Sequence, residues 1–140
     1  MTDLLNKLEH KIKIKFKDQK LLAKSLMHKS HNNIDNNEKL EFLGDRVLGL
    51  VFAKTLLKIY PDEKEGTIDK KFANLVNKKT CLLVAKKLEL KNFITTGGSY
   101  KGLNRSDDKI ISDGLEALLG AIFLDQGMNV VEKFILKSWD

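Results

Sequence analysis

A nearly uninterrupted apolar stretch, from Ile111 to Leu124, is the feature that most constrains the fold of this chain. Its only polar side chains are Ser112, Asp113 and Glu116. A helix that is apolar on almost every side is expected to run through the middle of a domain. Asp113 and Glu116 are spaced i, i+3 and therefore share one face of it. Because ionised carboxylates are rarely buried without a partner, these two acids require an explanation.

The rest of the chain is also predicted to be helical. It contains a single proline, Pro61, and many Leu, Lys, Ala and Glu residues, which favour helix over strand. We expect one all-α domain over residues 1–140, with five to seven helices and no internal repeat. The predicted helices are a short one capped by Thr2 or Asp3, one capped by Asp18 that runs to about Met27, and four more at about 37–59, 67–88, 107–125 and 130–139, with Thr67 as a cap. Residues 11–17 are predicted to be a helix end plus loop, and residues 95–107 a surface loop.

Charge and composition narrow the classes of function. The chain has 25 Lys and Arg against 19 Asp and Glu, a net charge of +6, which suits a polyanionic partner without proving one. The longest apolar run, 117–124, is too short to span a bilayer, so we expect no membrane association. No apolar segment follows Met1, and Cys81 is the one cysteine, which together indicate a cytoplasmic protein without a disulfide.

A second helix, beginning near Asn37, carries three more acids. At about 100° per residue, Glu38, Glu41 and Asp45 fall within about 60° of arc. An apolar stripe for the core lies opposite, made of Leu40, Leu43, Val47, Leu50 and Val51. Phe42, Leu48 and Phe52 flank the acidic face, so this side of the helix does not resemble open solvent. The helix is therefore expected to be largely buried.

Two explanations for these acids remain open on geometry alone. Either they form buried ion pairs with lysine or arginine, or they bind metal. If the two acidic faces meet, carboxylates about 5 Å apart repel by roughly 3 kcal/mol at an effective dielectric near 20, and a divalent cation would remove that repulsion. Oxygen ligands favour Mg²⁺ or Mn²⁺, and no His or Cys lies at zinc spacing. A carboxylate site of this kind on a basic protein suggests phosphodiester chemistry.

Several segments resemble the ribonuclease III family. The run from Asn37 to Leu48, Asn-Glu-Lys-Leu-Glu-Phe-Leu-Gly-Asp-Arg-Val-Leu, is similar to the family signature. The segments 26–31, 65–66 and 73–76 resemble the parts before and after it, and 111–121 resembles the second acidic motif. The match covers nearly the whole chain in the family's order. It implies the all-α ribonuclease III endonuclease-domain fold in a symmetric homodimer.

The resemblance also implies a metal site. The family's metal-binding carboxylates fall on Glu41, Asp45, Asp113 and Glu116, with Asp45 and Glu116 as catalytic residues and Mg²⁺ as the cofactor, for which Mn²⁺ can substitute. Glu38 and Glu65 match further family positions. A helix-surface or capping role is the alternative for Glu38, and a solvated loop acid is the alternative for Glu65.

Further expectations follow from the family. They are hydrolysis of double-stranded RNA to 5′-phosphate and 3′-hydroxyl ends, a role in rRNA and mRNA processing, and a homodimer in which Phe42 enters a socket of the partner. A core phenylalanine is the alternative for Phe42. We also expect residues 1–140 to lack the C-terminal double-stranded-RNA-binding domain of the bacterial enzymes. An RNA-binding module without catalysis and a helical structural protein remain the alternative functions. The lysines at 11, 13, 15, 17, 70, 71, 78 and 79 could contact RNA or simply be solvated.

Overall fold

The fold is all-α, as predicted. The computed structural model describes residues 2–97 and 107–140, and their regular structure consists of seven α-helices and one short 3₁₀ helix. The α-helices are α1 (Thr2–Ile12), α2 (Gln19–Ser25), α3 (Glu38–Ile59), α4 (Glu65–Val76), α5 (Lys78–Lys87), α6 (Asp108–Gln126) and α7 (Met128–Ser138), and the 3₁₀ helix is Leu90–Asn92. An isolated parallel bridge between Met27 and Thr95 is the one β-type pairing in that part of the chain.

Helix α6 is the centre of the domain. It contacts α2, α3, α5 and α7, and nearly all of its side chains between Ile111 and Ile122 are buried. Asp113 alone in that interval is half-buried. The helix predicted from the apolar stretch is therefore confirmed, both in its extent and in its central position. Gly127 follows the end of this helix and has a positive φ of 91°.

Helices α3 and α6 touch backbone to backbone. A Cβ atom placed on Gly44 would lie 1.6 Å from the carbonyl oxygen of Glu116, and one on Gly120 would lie 2.2 Å from that of Leu40. Only glycine allows an approach this close. The contact places Gly44, the residue before Asp45, directly against the backbone of Glu116.

One long helix was predicted over residues 67–88, and this prediction is wrong. The chain forms α4 and α5, separated at Asn77, whose backbone is extended with φ −69° and ψ 163°. The Asn77 side chain accepts a hydrogen bond from the Thr80 amide at 2.8 Å, so it caps α5 instead of continuing α4. Thr67 is not a cap either, because α4 already begins at Glu65.

The cap predicted at Thr2 or Asp3 is wrong as well, because α1 begins at Thr2 and both residues lie within it. The remaining expectations agree better with the structure. Asp18 caps α2 by accepting a hydrogen bond from the Lys20 amide, and residues 13–17 form the predicted loop. The last helix begins two residues earlier than predicted, at Met128. The loop predicted for residues 95–107 falls mostly on residues 98–106, outside the described residues. No helix of residues 2–97 or 107–140 is long and apolar enough to cross a membrane.

The predicted faces of α3 need two corrections, at Leu50 and at Phe42. Leu48 and Phe52, beside the acidic face, are buried as expected. Leu50, assigned to the core stripe, is instead 57% exposed. Leu50 and the exposed Phe42 and Leu57 lie within about 80° of arc on one side of the helix, which neither α4 nor α6 covers.

Candidate active site

The four carboxyl groups implied as metal ligands come together between α3 and α6. Glu41 and Asp45 are one turn apart on α3, and Asp113 and Glu116 are nearly one turn apart on α6. The carboxyl group of Glu41 lies close enough to that of Asp113, and that of Asp45 close enough to that of Glu116, for each pair to interact across the two helices. The two acidic faces predicted separately from the sequence therefore meet, as two carboxyl pairs.

Glu116 is the most buried of the four. Its side chain is only 2% exposed, whereas that of Asp45 is 51% exposed. Burial, followed by the hydrogen bond with Asp45, raises the pKa of Glu116 to about 7. The surroundings of Glu116 thus disfavour its negatively charged form, and a nearby cation would stabilise that form.

In the second pair, Glu41 and Asp113, burial also opposes the negative charge of the carboxyl groups. Burial, followed by the negative charge of Asp113, raises the pKa of Glu41. For Asp113 burial acts in the same direction, but hydrogen bonds from Lys109 and Lys78 outweigh it and lower the pKa. Cations at Asp113 therefore already compensate part of the negative charge in this cluster.

Two lysines supply that compensation. The Nζ atom of Lys78, on α5, donates to Oδ1 of Asp113 at 2.6 Å and to Oε1 of Glu116, and it forms a salt bridge with each. The Nζ atom of Lys109 donates to Oδ2 of Asp113 at 2.5 Å, within the same helix. From the sequence, Lys78 was expected either to contact RNA or to be solvated, and Lys109 was not singled out. The i, i+4 spacing of Lys109 and Asp113 was the one available signal.

A cleft of about 340 Å³ opens beside the cluster. Its lining consists of His28, Lys29, Asn37, Glu38, Glu41, Asp107, Lys109, Ile110 and Asp113. Glu38 lies at this cleft, where its exposed carboxylate is 4.0 Å from Nζ of Lys29. Burial, followed by the positive charge of Lys29, lowers the pKa of His28, whose Nδ1 is 2.7 Å from Oγ of Ser30. The cleft thus combines acidic and basic groups next to the buried carboxyl pairs.

Two further predicted residues lie elsewhere. Glu65 is exposed at the start of α4, so it belongs to a helix and not to a loop, and it lines neither the cleft nor the carboxyl cluster. Phe42 is 61% exposed, which excludes the alternative of a core phenylalanine within one chain. Its ring lies 4.0 Å below the guanidinium group of Arg46, which also contacts Asp45 at 3.2 Å.

The lysines proposed for RNA contact have varied surroundings. Lys11 forms a salt bridge with Glu89, and Nζ of Lys71 lies 4.5 Å from the centre of the Tyr60 ring. Lys13, Lys15 and Lys17 are exposed in the loop after α1. Contact with RNA stays a prediction for all of these residues.

The cluster fits a hard divalent cation by donor chemistry. All four candidate ligands are carboxylates, and two of them have pKa values raised by burial and by the neighbouring acid. As the side chains stand, however, no group of three His, Cys, Asp or Glu residues in the described part of the chain is arranged around a metal position. The ammonium group of Lys78 lies between Asp113 and Glu116 instead.

Comparison with known proteins decides the family. The family profile described as Ribonuclease-III-like matches residues 18–139. The chain belongs to the ribonuclease III family. It is 60% identical over 133 residues to Ribonuclease 3 of Pelagibacter ubique (strain HTCC1062) and 43% identical over 141 residues to that of Clostridium tetani (strain Massachusetts / E88). These matches cover 95% and 96% of this chain but only 60% of each relative, so the chain spans about three fifths of their length.

Solved structures of the ribonuclease III family have the same fold. The nuclease domain of ribonuclease III from Campylobacter jejuni superimposes with a TM-score of 0.88 at 38% identity, and the match covers 94% of this chain and 93% of that one. The description of that structure concerns flexibility in a region involved in dimer formation. Dicer from Pichia stipitis, at 24% identity and a TM-score of 0.67, shares the fold.

Proposed function

We propose that this ribonuclease III family chain is an endoribonuclease that hydrolyses phosphodiester bonds of double-stranded RNA in a Mg²⁺-dependent reaction. The observation that carries the proposal is the meeting of four carboxyl groups from α3 and α6 as crossing pairs, next to an open cleft. Families that share a fold need not share chemistry, so the residues themselves must supply the argument. Here they are oxygen donors of the kind that hold a Mg²⁺ ion, which supports metal-assisted hydrolysis of a phosphodiester.

Glu41, Asp45, Asp113 and Glu116 would hold the Mg²⁺ ion, and Mn²⁺ would be able to replace it. When bound, such an ion supplies a more acidic water molecule and stabilises negative charge on the phosphate. Asp45 and Glu116 are the proposed catalytic residues, as the resemblance to the family implies, and the side chain of Asp45 is half exposed whereas that of Glu116 is buried. The expected products carry 5′-phosphate and 3′-hydroxyl ends.

Basic groups beside the cluster suit the RNA backbone. Lys29 and Lys109 line the cleft, and the chain as a whole carries a net charge of +6. Double-stranded RNA is recognised mainly through its shape, phosphates and 2′-hydroxyl groups. Affinity should therefore fall steeply as salt is added.

The exposed apolar side of α3 supports a symmetric homodimer. Phe42, Leu50 and Leu57 are each more than half exposed on that side, an unusual density of large apolar groups for an open surface. We propose that Phe42 enters a pocket of a second copy of this chain. The structural similarity to a nuclease domain with a dimer-forming region supports this proposal.

Residues 1–140 are proposed to form the nuclease domain. The coverage of the Campylobacter jejuni nuclease domain supports this assignment. Processing of rRNA and mRNA in the cytoplasm is the proposed cellular role. Glu38 is proposed as an accessory group at the cleft, and Glu65 as a surface residue near bound RNA.

One observation favours a second candidate function. The salt bridges of Lys78 with Asp113 and Glu116 satisfy both acids without any metal, as expected for an RNA-binding module that lacks catalysis. Such a module would bind duplex RNA equally well with or without divalent ions and would leave it intact.

A cleavage assay on duplex RNA separates the two functions. The wild type should cleave at low salt with Mg²⁺ and not with a chelator, and Glu116→Gln should lose on the order of 100-fold in rate or more. Glu132→Gln is the matched control, since Glu132 lies on α7 and pairs with Lys54. Equal rates for the wild type and Glu116→Gln, or binding of duplex RNA without cleavage by the wild type, would refute the proposed enzyme.

A further inference from the structure

The position of Lys78 is fixed by the junction between α4 and α5. Asn77 ends α4 and caps α5 through the Thr80 amide, and Oγ1 of Thr80 donates to the carbonyl oxygen of Asn74 at 2.7 Å. Lys78 is therefore the first residue of α5, a helix that packs against α6. From this position its side chain extends to the acids of α6.

The Lys78 ammonium group forms salt bridges with two of the proposed metal ligands. It contacts one oxygen of Asp113 and one oxygen of Glu116, the more deeply buried acid. A lysine side chain is charged at neutral pH, so with a salt bridge to each acid Lys78 acts as a counter-ion to the pair.

The same two carboxylates are among the proposed Mg²⁺ ligands. If an ammonium group and a divalent ion both lay between Asp113 and Glu116, the two cations would repel each other strongly at such short range. The two cations therefore cannot share this position. Since the Lys78 side chain is 57% exposed, it has space to turn toward solvent.

We propose that Lys78 is a built-in competitor of the divalent ion: its ammonium group holds Asp113 and Glu116 together in the metal-free protein and must withdraw for metal to bind. The inference rests on the proposed metal site and goes further, because it names the residue that sets the metal affinity of that site. Lys78 is a positioning residue in this scheme. Lys109 does not fill this role, because it contacts only Asp113 of the two acids.

Competition predicts opposite effects of one substitution on two measurements. Lys78→Met keeps much of the side-chain length but removes the charge. Metal should then bind more tightly, because no ammonium group has to leave. The metal-free protein should become less stable, because the buried Glu116 loses its counter-ion.

Lys79→Met is the matched control. Lys79 is the next residue of α5, is exposed, and forms no salt bridge with the described acids. Its substitution removes the same unit charge from the same helix. It therefore reports the effect of net charge alone, which solvent and salt screen.

The experiment is a calorimetric titration of the wild type and both variants with Mn²⁺, together with thermal unfolding in a chelator and in saturating Mn²⁺. We expect Lys78→Met to bind Mn²⁺ about tenfold more tightly or better, and Lys79→Met to change affinity by less than about threefold. In the chelator Lys78→Met should unfold at a lower temperature than the wild type, and saturating Mn²⁺ should remove that difference.

The contrary outcomes separate this inference from the proposed function. If Mn²⁺ binds all three proteins with similar affinity, or binds Lys78→Met more weakly, the competitor role is refuted and the metal site stands. If Mn²⁺ binds none of them, the metal site and the competitor role are both refuted.

Discussion

Substitution of Gly44 by alanine tests whether the approach of α3 to α6 holds the domain together. In the interior of an exposed helix the change from glycine to alanine stabilises by about 1 kcal/mol, because alanine has the higher helix propensity. Here the new Cβ atom would lie 1.6 Å from the carbonyl oxygen of Glu116 and 2.6 Å from its carbonyl carbon. Real Cβ contacts essentially never fall below 3.0 Å, so one of the two helices must move.

The expected loss of stability in Gly44→Ala depends on which atoms must move to admit the new Cβ atom. Overpacking a well-packed core costs about 1–3 kcal/mol when side chains adjust. The obstruction at Gly44 is the backbone of the most buried helix, which places the cost near 3 kcal/mol or above. After the gain in helix propensity, we expect Gly44→Ala to lower the free energy of unfolding by about 2 kcal/mol or more.

Gly49→Ala is the matched control within the same helix. A Cβ atom on Gly49 would meet only the ring of Phe72, at 3.5 Å, which is an ordinary contact. This variant should therefore be as stable as the wild type or more stable by up to about 1 kcal/mol. The two alanine variants then differ by about 3 kcal/mol, although both gain the same helix propensity.

The assay is urea unfolding of both variants and the wild type, followed by far-ultraviolet circular dichroism in a chelator. At equal m-values the midpoints report the change in stability directly. Gly44→Ala unfolding at the same urea concentration as Gly49→Ala, or at a higher one, would refute the argument that direct backbone contact at Gly44 determines the α3–α6 packing.

Three other predictions test separate parts of the domain. Oδ2 and Oδ1 of Asp125 accept hydrogen bonds from the amides of Lys17 and Asp18, and these bonds outweigh burial and lower the pKa of Asp125. The contribution of Asp125 to stability should therefore be complete above its ordinary pKa, near 3.8, and be lost as pH falls toward the lowered value. The melting temperatures of the wild type and Asp125→Asn should thus differ at pH 6 and converge in acid. Trp139→Phe should cost about 1 kcal/mol in chemical unfolding, because Nε1 of Trp139 donates to the carbonyl oxygen of Leu75 at 2.9 Å and phenylalanine cannot; an unchanged midpoint would contradict this. Phe42→Ala should weaken the proposed dimer in analytical ultracentrifugation while the helical content stays constant, and an unaltered dimer would contradict the role of Phe42.

The sequence predicted the helices whose hydrophobic pattern is unambiguous. Helix α6 was located within about one residue, because its apolar side chains are continuous and Gly127 marks its end. The α4–α5 break was missed because no proline or glycine separates the two helices. Asn77 was the only signal, and an asparagine can lie within a helix or cap one.

The residues of the site also divide into those that the sequence predicted and one, Lys78, that it did not place. Glu41, Asp45, Asp113 and Glu116 could be named from local motifs, and their faces could be worked out from helical spacing. The contact of Lys78 with Glu116 joins residues 38 positions apart and depends on the break at Asn77. Since the sequence predicted one helix through that break, it could not place Lys78 correctly.

The glycine contact and the carboxyl cluster are parts of one arrangement. Gly44 immediately precedes Asp45, and the atom it approaches is the carbonyl oxygen of Glu116. The close backbone contact therefore holds the side chains of Asp45 and Glu116 next to each other. Wider spacing of α3 and α6 would lessen the repulsion between these acids, and it would also disperse the oxygen donors that a divalent ion needs. The domain thus keeps a close helix contact that is electrostatically unfavourable, and the salt bridges of Lys78 with Asp113 and Glu116 offset part of that cost. In the proposed metal-bound state, a divalent ion would take over this role from Lys78.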